Sequence, residues 1–196
     1  MASVHLPVLT DHVVDFLAPA APGLVVDATV GLGGHAEALL RAEPGFRVVG
    51  LDRDPQALVR AGERLRAYSD RVQLVEATFD QLPEVLERIG EDPPTAILAD
   101  LGCSSLQLDS SDRGFSFQTD GPLDMRMGDR GETVAELLER IDWEDLVRIL
   151  RDYGEERRAK AIARAIVRRR EESPLRSTAQ LSQLVQDVVG GREGRI

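Results

Sequence analysis

The sequence has few cysteines, few aromatic residues and no long apolar run. Cys103 is the single cysteine among 196 residues, so an internal disulfide is excluded, and aromatic side chains make up 4% of the chain. No apolar run approaches the roughly 20 residues that a membrane-spanning helix needs. The first ten residues have neither the basic nor the apolar region of a secretion signal. Because 42% of the residues are hydrophobic, the chain can still form a core. We therefore expect a cytoplasmic protein with no membrane partner.

The sequence also lacks net positive charge, since its formal charge at pH 7 is −10. This total argues against a nucleic-acid partner, because affinity for phosphate comes largely from Lys and Arg. The basic residues are nevertheless concentrated between 155 and 172, where the pattern predicts an amphipathic helix. The cations on one face of that segment are Arg157, Lys160, Arg164 and Arg168. They form either an RNA-binding stripe or a solvated face paired with neighbouring glutamates.

Short apolar runs alternate with helical patterns in the first hundred residues. Strands are predicted at 24–27, 48–52, 72–75 and 96–100, and helices at 34–42, 55–67 and 79–89. This alternation predicts an α/β fold with a parallel sheet. Residues 102–130 have no period, and an irregular stretch of this length is usually functional or disordered. After Gly131 the chain reads as all-helical, with Thr178 expected to cap the last helix. We expect domains at 1–105 and 106–196.

A glycine-rich turn between the first two predicted strands indicates a nucleotide-type cofactor. The first strand ends at Asp27, the turn contains Gly31 and Gly33, and a helix begins near Gly34. Glycines let the backbone approach a ligand closely, and the helix amino terminus presents N–H groups to the same place. Asp52, at the end of the second strand, suits the hydroxyls of a ribose. Asp27 would repel a pyrophosphate but suits an amino group and a sulfonium, so S-adenosylmethionine is favoured over NAD. No histidine or cysteine spacing is typical of a metal site.

Several strings together resemble the ribosomal RNA small subunit methyltransferase H family. The resemblance covers nearly the whole chain, and the stretch from Asp100 to Met127 is its most specific part. The strings are HLPVL at 5–9, DATVGLGGH at 27–35, LDRDP at 51–55, DLGCSSLQLD at 100–109, RGFSF at 113–117, DGPLDMRM at 120–127 and YGEER at 153–157.

The resemblance implies transfer of a methyl group from S-adenosylmethionine to the N4 amine of a cytidine in 16S rRNA, within the small ribosomal subunit. It implies a Rossmann-like class I methyltransferase sheet with an all-helical insertion domain after the fourth strand. Family members continue well beyond the length of this chain, so we expect the C-terminal part of the Rossmann-like domain to be absent here. The cofactor contacts that the resemblance implies, with Asp27 and Gly31 added from the turn, are Asp27, Gly31, Gly33, Gly34, His35, Asp52, Phe79, Asp100 and Gln107.

The chemistry of an amino acceptor points to the end of the fourth strand. Asp100 is the first candidate to accept the hydrogens of the amine, with Ser104 and Ser105 behind it. Phe115 and Phe117 either stack on the target base or pin the loop to the core. Other charged residues of the loop are expected to form a salt-bridge set that orders it, and these are Asp109, Arg113, Asp124 and Arg126.

Three other functions stay open at this point. A truncated relative could hold cofactor or RNA without turnover. An NAD(P)-dependent oxidoreductase would share the same half of the fold, although no nicotinamide site is evident. A small-molecule methyltransferase would not need so long a loop or the basic helix.

Overall fold

A computed structural model describes residues 7–104, 107–108, 110–116 and 119–190. The chain divides into two compact units. The first is Met1–Ser105 with Met127–Asp129, and the second is Leu106–Arg126 with Arg130–Ile196. Three residues named above, Ser105, Asp109 and Phe117, lie outside the described residues, as do the first two residues of the string at 5–9.

The first unit contains a parallel four-stranded sheet, which confirms the predicted α/β class. The strands are β1 (Gly23–Asp27), β2 (Phe46–Asp52), β3 (Val72–Glu76) and β4 (Ala96–Leu98). Their order in the sheet is β3-β2-β1-β4. The helices are α1 (Thr10–Leu17), α2 (Gly34–Ala42), α3 (Pro55–Arg64) and α4 (Leu82–Ile89), with single 3-10 turns at Ala18–Ala20, Arg66–Tyr68 and Phe79–Gln81.

The central strand β1 is buried on both faces, and this explains its continuous apolar sequence. Successive side chains point to opposite faces. Val25 accordingly packs with Leu39 and Phe46 in one core cluster, while Val26 packs with Leu51 in another. The run of apolar residues therefore reports burial between two helical layers.

The strand register aligns three acidic residues at one edge of the sheet. Asp27 is paired with Gly50 of β2 and with Leu98 of β4. Asp52 and Asp100 each lie two residues beyond those partners in the sequence. The carboxyl ends of parallel strands meet at this edge, which is where ligands bind in open α/β sheets.

Several predicted boundaries in the first unit were wrong. The strand predicted at 48–52 begins at Phe46, and the helix predicted at 79–89 is a 3-10 turn followed by α4, which begins at Leu82. The helix predicted at 55–67 ends at Arg64 and is followed by a separate 3-10 turn. The strand predicted at 96–100 ends at Leu98, whose carbonyl accepts the Ala28 N–H at 2.8 Å. The Asp100 N–H then donates to the Thr29 hydroxyl at 2.7 Å. At Asp100 the Thr29 side chain thus takes the place of a backbone hydrogen-bond partner on the neighbouring strand. The predicted start of α3 is confirmed, because Asp54 accepts the Gln56 N–H at 3.0 Å and Pro55 is the first helical residue.

The second unit is helical, with a 3-10 turn at Ser111–Arg113 and four longer helices among the described residues. They are α5 (Val134–Arg140), α6 (Trp143–Arg148), α7 (Ala159–Glu172) and α8 (Thr178–Gly190), and a π-helical turn at Ile149–Tyr153 follows α6. Leu138, Leu146, Ile162 and Ile166 share one core cluster. This cluster joins α5, α6 and α7 in one core.

The basic helix begins later than predicted. It begins at Ala159 rather than Glu155, so Arg157 lies outside it. Glu155 has a left-handed backbone, with φ of 50°, and the Glu156 carboxylate accepts the Arg158 N–H at 2.6 Å. These two features end the preceding turn and begin the helix. Within the described residues, no helix is both long and apolar enough to cross a membrane.

The last helix is capped by residues other than the one predicted. Thr178 was expected to be the cap, but it is the first helical residue. The Ser177 hydroxyl accepts the Gln180 N–H at 3.3 Å, and the Asp120 carboxylate accepts the Ala179 N–H at 3.0 Å. The cap therefore comes partly from a loop 59 residues away.

Candidate cofactor site at the carboxyl edge of the sheet

The turn after β1 is bonded to its neighbouring strands. The Val30 N–H donates to the Leu51 carbonyl at 2.8 Å, and the Gly33 N–H donates to the Val30 carbonyl at 2.7 Å. Gly31 and Gly33 have φ of 52° and 76°, in the left-handed region that favours glycine. The sequence therefore needs glycine here to return the chain into α2.

The two glycines meet different surroundings. A Cβ on Gly33 would lie 3.1 Å from the Leu65 side chain, so this glycine allows the turn to pack against the end of α3. A Cβ on Gly31 would meet only the Thr29 carbonyl, at 3.8 Å. The backbone at Gly31 is therefore open on the side where a ligand could approach.

Asp27 is the most unusual group at this edge. It is 1% exposed, and its Oδ1 accepts the Thr29 N–H at 3.3 Å. Its Oδ2 is buried and has no hydrogen-bond partner in the described part of the chain. Burial raises the pKa of Asp27 from 3.8 to about 6, against the lowering effect of the Thr29 hydrogen bond. A buried acceptor without a donor is costly and points to a missing hydrogen-bonding group.

Asp52 is held by two backbone donors. Its Oδ2 accepts the Gly31 N–H and its Oδ1 accepts the Asp54 N–H, each at 2.9 Å. Burial raises the pKa of Asp52, and these two hydrogen bonds oppose the rise. Each carboxylate oxygen keeps a second lone pair. The carboxylate is thus oriented by the turn and still able to accept hydroxyl groups.

Thr29 connects the turn to the fourth strand, a role that the sequence reasoning missed. Its hydroxyl oxygen accepts the Asp100 N–H at 2.7 Å, and this contact holds the segment that carries the exposed Asp100 carboxylate. The two residues are 71 positions apart, so no local pattern in the sequence signals this contact. A glycine at position 29 has no side chain and could not accept the Asp100 N–H.

His35 and Phe79 also lie near this edge. His35 is 7% exposed, and its Nε2 lies 2.8 Å from the Val8 carbonyl oxygen. A carbonyl only accepts, so the Nε2–H is the donor and the imidazole is engaged by the N-terminal segment. Gly34 packs against the same segment, because a Cβ there would lie 2.6 Å from Pro7. Phe79 begins the 3-10 turn after β3 and is 58% exposed.

The structure brings most of the predicted cofactor residues to one edge of the first unit. Gln107 differs, since it belongs to the second unit and is 6% exposed there. Ser104 is half-buried, Cys103 is exposed, and Ser105 lies outside the described residues. The residues that the first unit assembles are Asp27, Gly31, Gly33, Gly34, His35, Asp52, Phe79 and Asp100.

The loop of the second unit contains part of the predicted salt-bridge set. Arg126 pairs with Asp124 at 2.7 Å, and this contact lowers the pKa of Asp124. The Arg113 guanidinium donates to the Arg126 carbonyl at 3.0 Å. Phe115 is 9% exposed, which favours its interpretation as a residue that pins the loop. These groups order the loop within its own unit.

The predicted basic residues are exposed and carry no acidic partner. Within the described residues, no ion pair or hydrogen bond is formed by the side chains of Arg157, Lys160, Arg164 and Arg168. The described glutamates beside them in the sequence therefore form no ion pair with them. The structure does not support the expectation of a solvated face paired with glutamates.

A family model matches residues 2–195 and is described as the MraW methylase family. The chain belongs to the MraW methylase family. The curated relatives include proteins named ribosomal RNA small subunit methyltransferase H. The one from Frankia alni is 55% identical over 95% of this chain, and the one from Streptomyces avermitilis is 51% identical over 94%. The chain spans 59% of the length of each of these two relatives.

Solved structures resemble the chain more distantly. A protein described as an rRNA-methylase, from Clostridium thermocellum, is 20% identical with a TM-score of 0.40. The alignment covers 52% of this chain and 58% of that one. A protein described as a caffeoyl-CoA O-methyltransferase, from Staphylococcus aureus, is 12% identical with a TM-score of 0.42, over 85% of this chain and 74% of that one.

Proposed function

We propose that this chain contains the cofactor site of an S-adenosylmethionine-dependent methyltransferase that modifies the exocyclic N4 amine of a cytidine in 16S rRNA. Membership of the MraW methylase family supports a methyltransferase. The names of the curated relatives support ribosomal RNA of the small subunit as the substrate. The choice of the N4 amine rests on the sequence resemblance and on the carboxylate near the acceptor position.

The observation that carries the proposal is the buried Asp27 Oδ2 without a donor. An amino group of the cofactor would supply that donor, and a positive charge would favour the ionised carboxylate. A dinucleotide would instead bring a pyrophosphate toward Asp27, which like charges oppose. Asp52, already oriented by the turn, would accept the ribose hydroxyls. When bound, S-adenosylmethionine supplies a methyl group activated by a sulfonium.

The protein's task at the acceptor is to position a poor nucleophile. The N4 lone pair of cytosine is delocalised into the ring, so the amine must be oriented and its hydrogens accepted. Asp100 is exposed at the edge of the sheet and is held through its backbone by Thr29. We assign it the role of accepting an amine hydrogen, with Ser104 and Ser105 as further acceptors. Positioning of the two reactants can contribute several kcal/mol.

RNA would be held in part by the exposed cations around α7. Lys160, Arg164 and Arg168 lie on this helix at intervals of four residues, which place them along one side about 6 Å apart. Arg157 precedes the helix and extends the basic surface. Phosphate contacts of this kind give affinity that falls with salt. The reaction is expected in the cytoplasm.

The test is methyl transfer to small ribosomal subunits that lack the modification, with nucleosides identified by mass spectrometry. We expect N4-methylcytidine, and a loss of rate of roughly 100-fold or more in Asp100→Asn, the range for removing a positioned acceptor. Asp70→Asn is the matched control, because Asp70 is exposed in the turn before β3. A methyl group on another atom, or equal rates in the two variants, would contradict the proposal. Cofactor binding without transfer would favour the non-catalytic alternative.

A further inference from the structure

The second unit contains a groove of about 410 Å³ between α6 and α7. Trp143 lies at the start of α6, and the other lining residues come from α7. The complete lining is Trp143, Arg164, Val167, Arg168 and Glu171. Trp143 is half-buried and is the only tryptophan in the sequence. An apolar aromatic side chain and two cations therefore share one depression.

The two arginines of this groove differ from most arginines on the same surface. Within the described part of the chain, neither Arg164 nor Arg168 has an ion pair or a side-chain hydrogen bond. Arg148, on the adjacent helix, pairs with Asp145 at 3.1 Å, and its side chain is 64% exposed. In a protein with a net charge of −10, two adjacent cations without partners indicate a site for an anion.

We propose that this groove binds a single-stranded segment of RNA, with a base against Trp143 and backbone phosphates on Arg164 and Arg168. This inference rests on the proposed function, in which RNA is the substrate. The groove is then the place where the second unit contacts single-stranded RNA. Base stacking on aromatic side chains is the common way in which unpaired RNA is held. The Glu171 carboxylate in the same groove can accept a hydrogen from the amino group of a base.

A duplex does not fit these requirements. Bases in an A-form helix are stacked on each other and paired, so their faces are not available to an indole in a groove. Contacts to phosphates alone would need only the arginines. Because Trp143 needs an exposed base face, the groove binds unpaired nucleotides in preference to a duplex.

The intrinsic fluorescence of Trp143 tests the proposal without altering the residue, because no other tryptophan contributes. The chain is titrated with a cytidine-containing hexaribonucleotide and with a blunt-ended RNA duplex that has no unpaired nucleotides, while fluorescence anisotropy of labelled RNA reports binding independently. We expect the hexanucleotide to quench and shift the tryptophan emission as it binds, and the duplex to leave the emission unchanged. In Arg164→Gln/Arg168→Gln the salt slope of binding should fall by about 1.4, since each phosphate contact on a single strand contributes about 0.7.

The matched control is Arg148→Gln, which removes an exposed arginine of α6 that is already paired. It should bind and quench like the unaltered chain. Binding of the hexanucleotide with unchanged emission, equal quenching by the duplex, or an unchanged salt slope in the double variant would each overturn the proposal. Methyl transfer with no quenching would reject the groove and leave the proposed function intact. Quenching with no methyl transfer would reject the proposed function and leave the groove intact.

Discussion

Replacement of Asp27 by asparagine should change how the stability of the chain depends on pH. Asparagine has the same shape, and its Oδ1 can still accept the Thr29 N–H. The ionisation is removed, and an amide NH2 group takes the place of Oδ2, at a cost that does not depend on pH in this range. Burial raises the pKa of Asp27 from 3.8 to about 6, so the native state holds the proton more tightly than the unfolded chain does. The variant therefore isolates the cost of an ionised carboxylate that is buried without a partner for Oδ2.

The sign and size of the effect follow from this difference in proton affinity. The relative stabilisation is complete below the unfolded pKa of 3.8 and is lost as the pH rises through about 6. A shift of about two pKa units corresponds to about 3 kcal/mol. The free energy of unfolding of the unaltered chain, relative to that of Asp27→Asn, should thus fall by about 3 kcal/mol between about pH 4 and pH 7.

Urea unfolding followed by circular dichroism at several pH values measures this difference. Carboxylates that do not interact with Asp27 are present in both proteins, so their contributions cancel in the comparison. Asp124, whose pKa is lowered, is one of these. Asp52 and Asp100 each raise the pKa of Asp27, so the loss of these repulsions is part of the measured difference. Two unfolding free energies that run parallel from pH 4 to pH 8 would contradict this prediction. So would an unfolding free energy of the unaltered chain that rises, relative to that of Asp27→Asn, between pH 4 and pH 7.

Other predictions concern single contacts of the fold. Gly33→Ala should cost about 2–3 kcal/mol of unfolding free energy, because the left-handed backbone and a close contact are both unfavourable. Gly90→Ala, at a φ of 70° with open space, should cost only about 1 kcal/mol; equal losses in urea unfolding would contradict this pair. Arg71→Ala should cost about 2 kcal/mol, since its guanidinium donates to carbonyls at 2.9–3.3 Å, and unchanged stability would argue against that role. Arg126 lowers the pKa of Asp124 below 3.8, so stability from this pair is lost in acid, and Asp124→Asn should flatten the acid limb of a thermal-unfolding profile.

The sequence predicts the local features of the first unit well. Apolar runs that alternate with helical patterns indicate the parallel sheet, and Asp54 followed by Pro55 marks the start of α3. Each of these signals lies within one element and depends on burial or on backbone geometry. The acidic ends of the strands, Asp27 and Asp52, likewise predict an edge where ligands bind.

Contacts between distant segments could not be predicted in this way. The hydroxyl of Thr29 and the backbone of Asp100 are 71 residues apart, so no local pattern signals their hydrogen bond. Asp120 caps a helix 59 residues later for the same reason. The late start of α7 depends on the left-handed backbone of Glu155, a conformation for which a glutamate gives no sequence signal. Whether Arg164 and Arg168 form ion pairs depends on the directions of their side chains, which the spacing of charged residues in the sequence does not give.

The most direct test of the central claim is calorimetric titration of the purified chain with S-adenosylmethionine, with NAD as the control ligand. We expect selective binding of S-adenosylmethionine that strengthens as the pH rises through about 6, because the ionised Asp27 carboxylate attracts the positively charged amino group. Asp52→Ala should weaken binding at every pH, and Asp27→Asn should weaken it and remove the pH dependence. Equal binding of NAD, or no heat from S-adenosylmethionine in a chain that circular dichroism shows to be folded, would contradict the account.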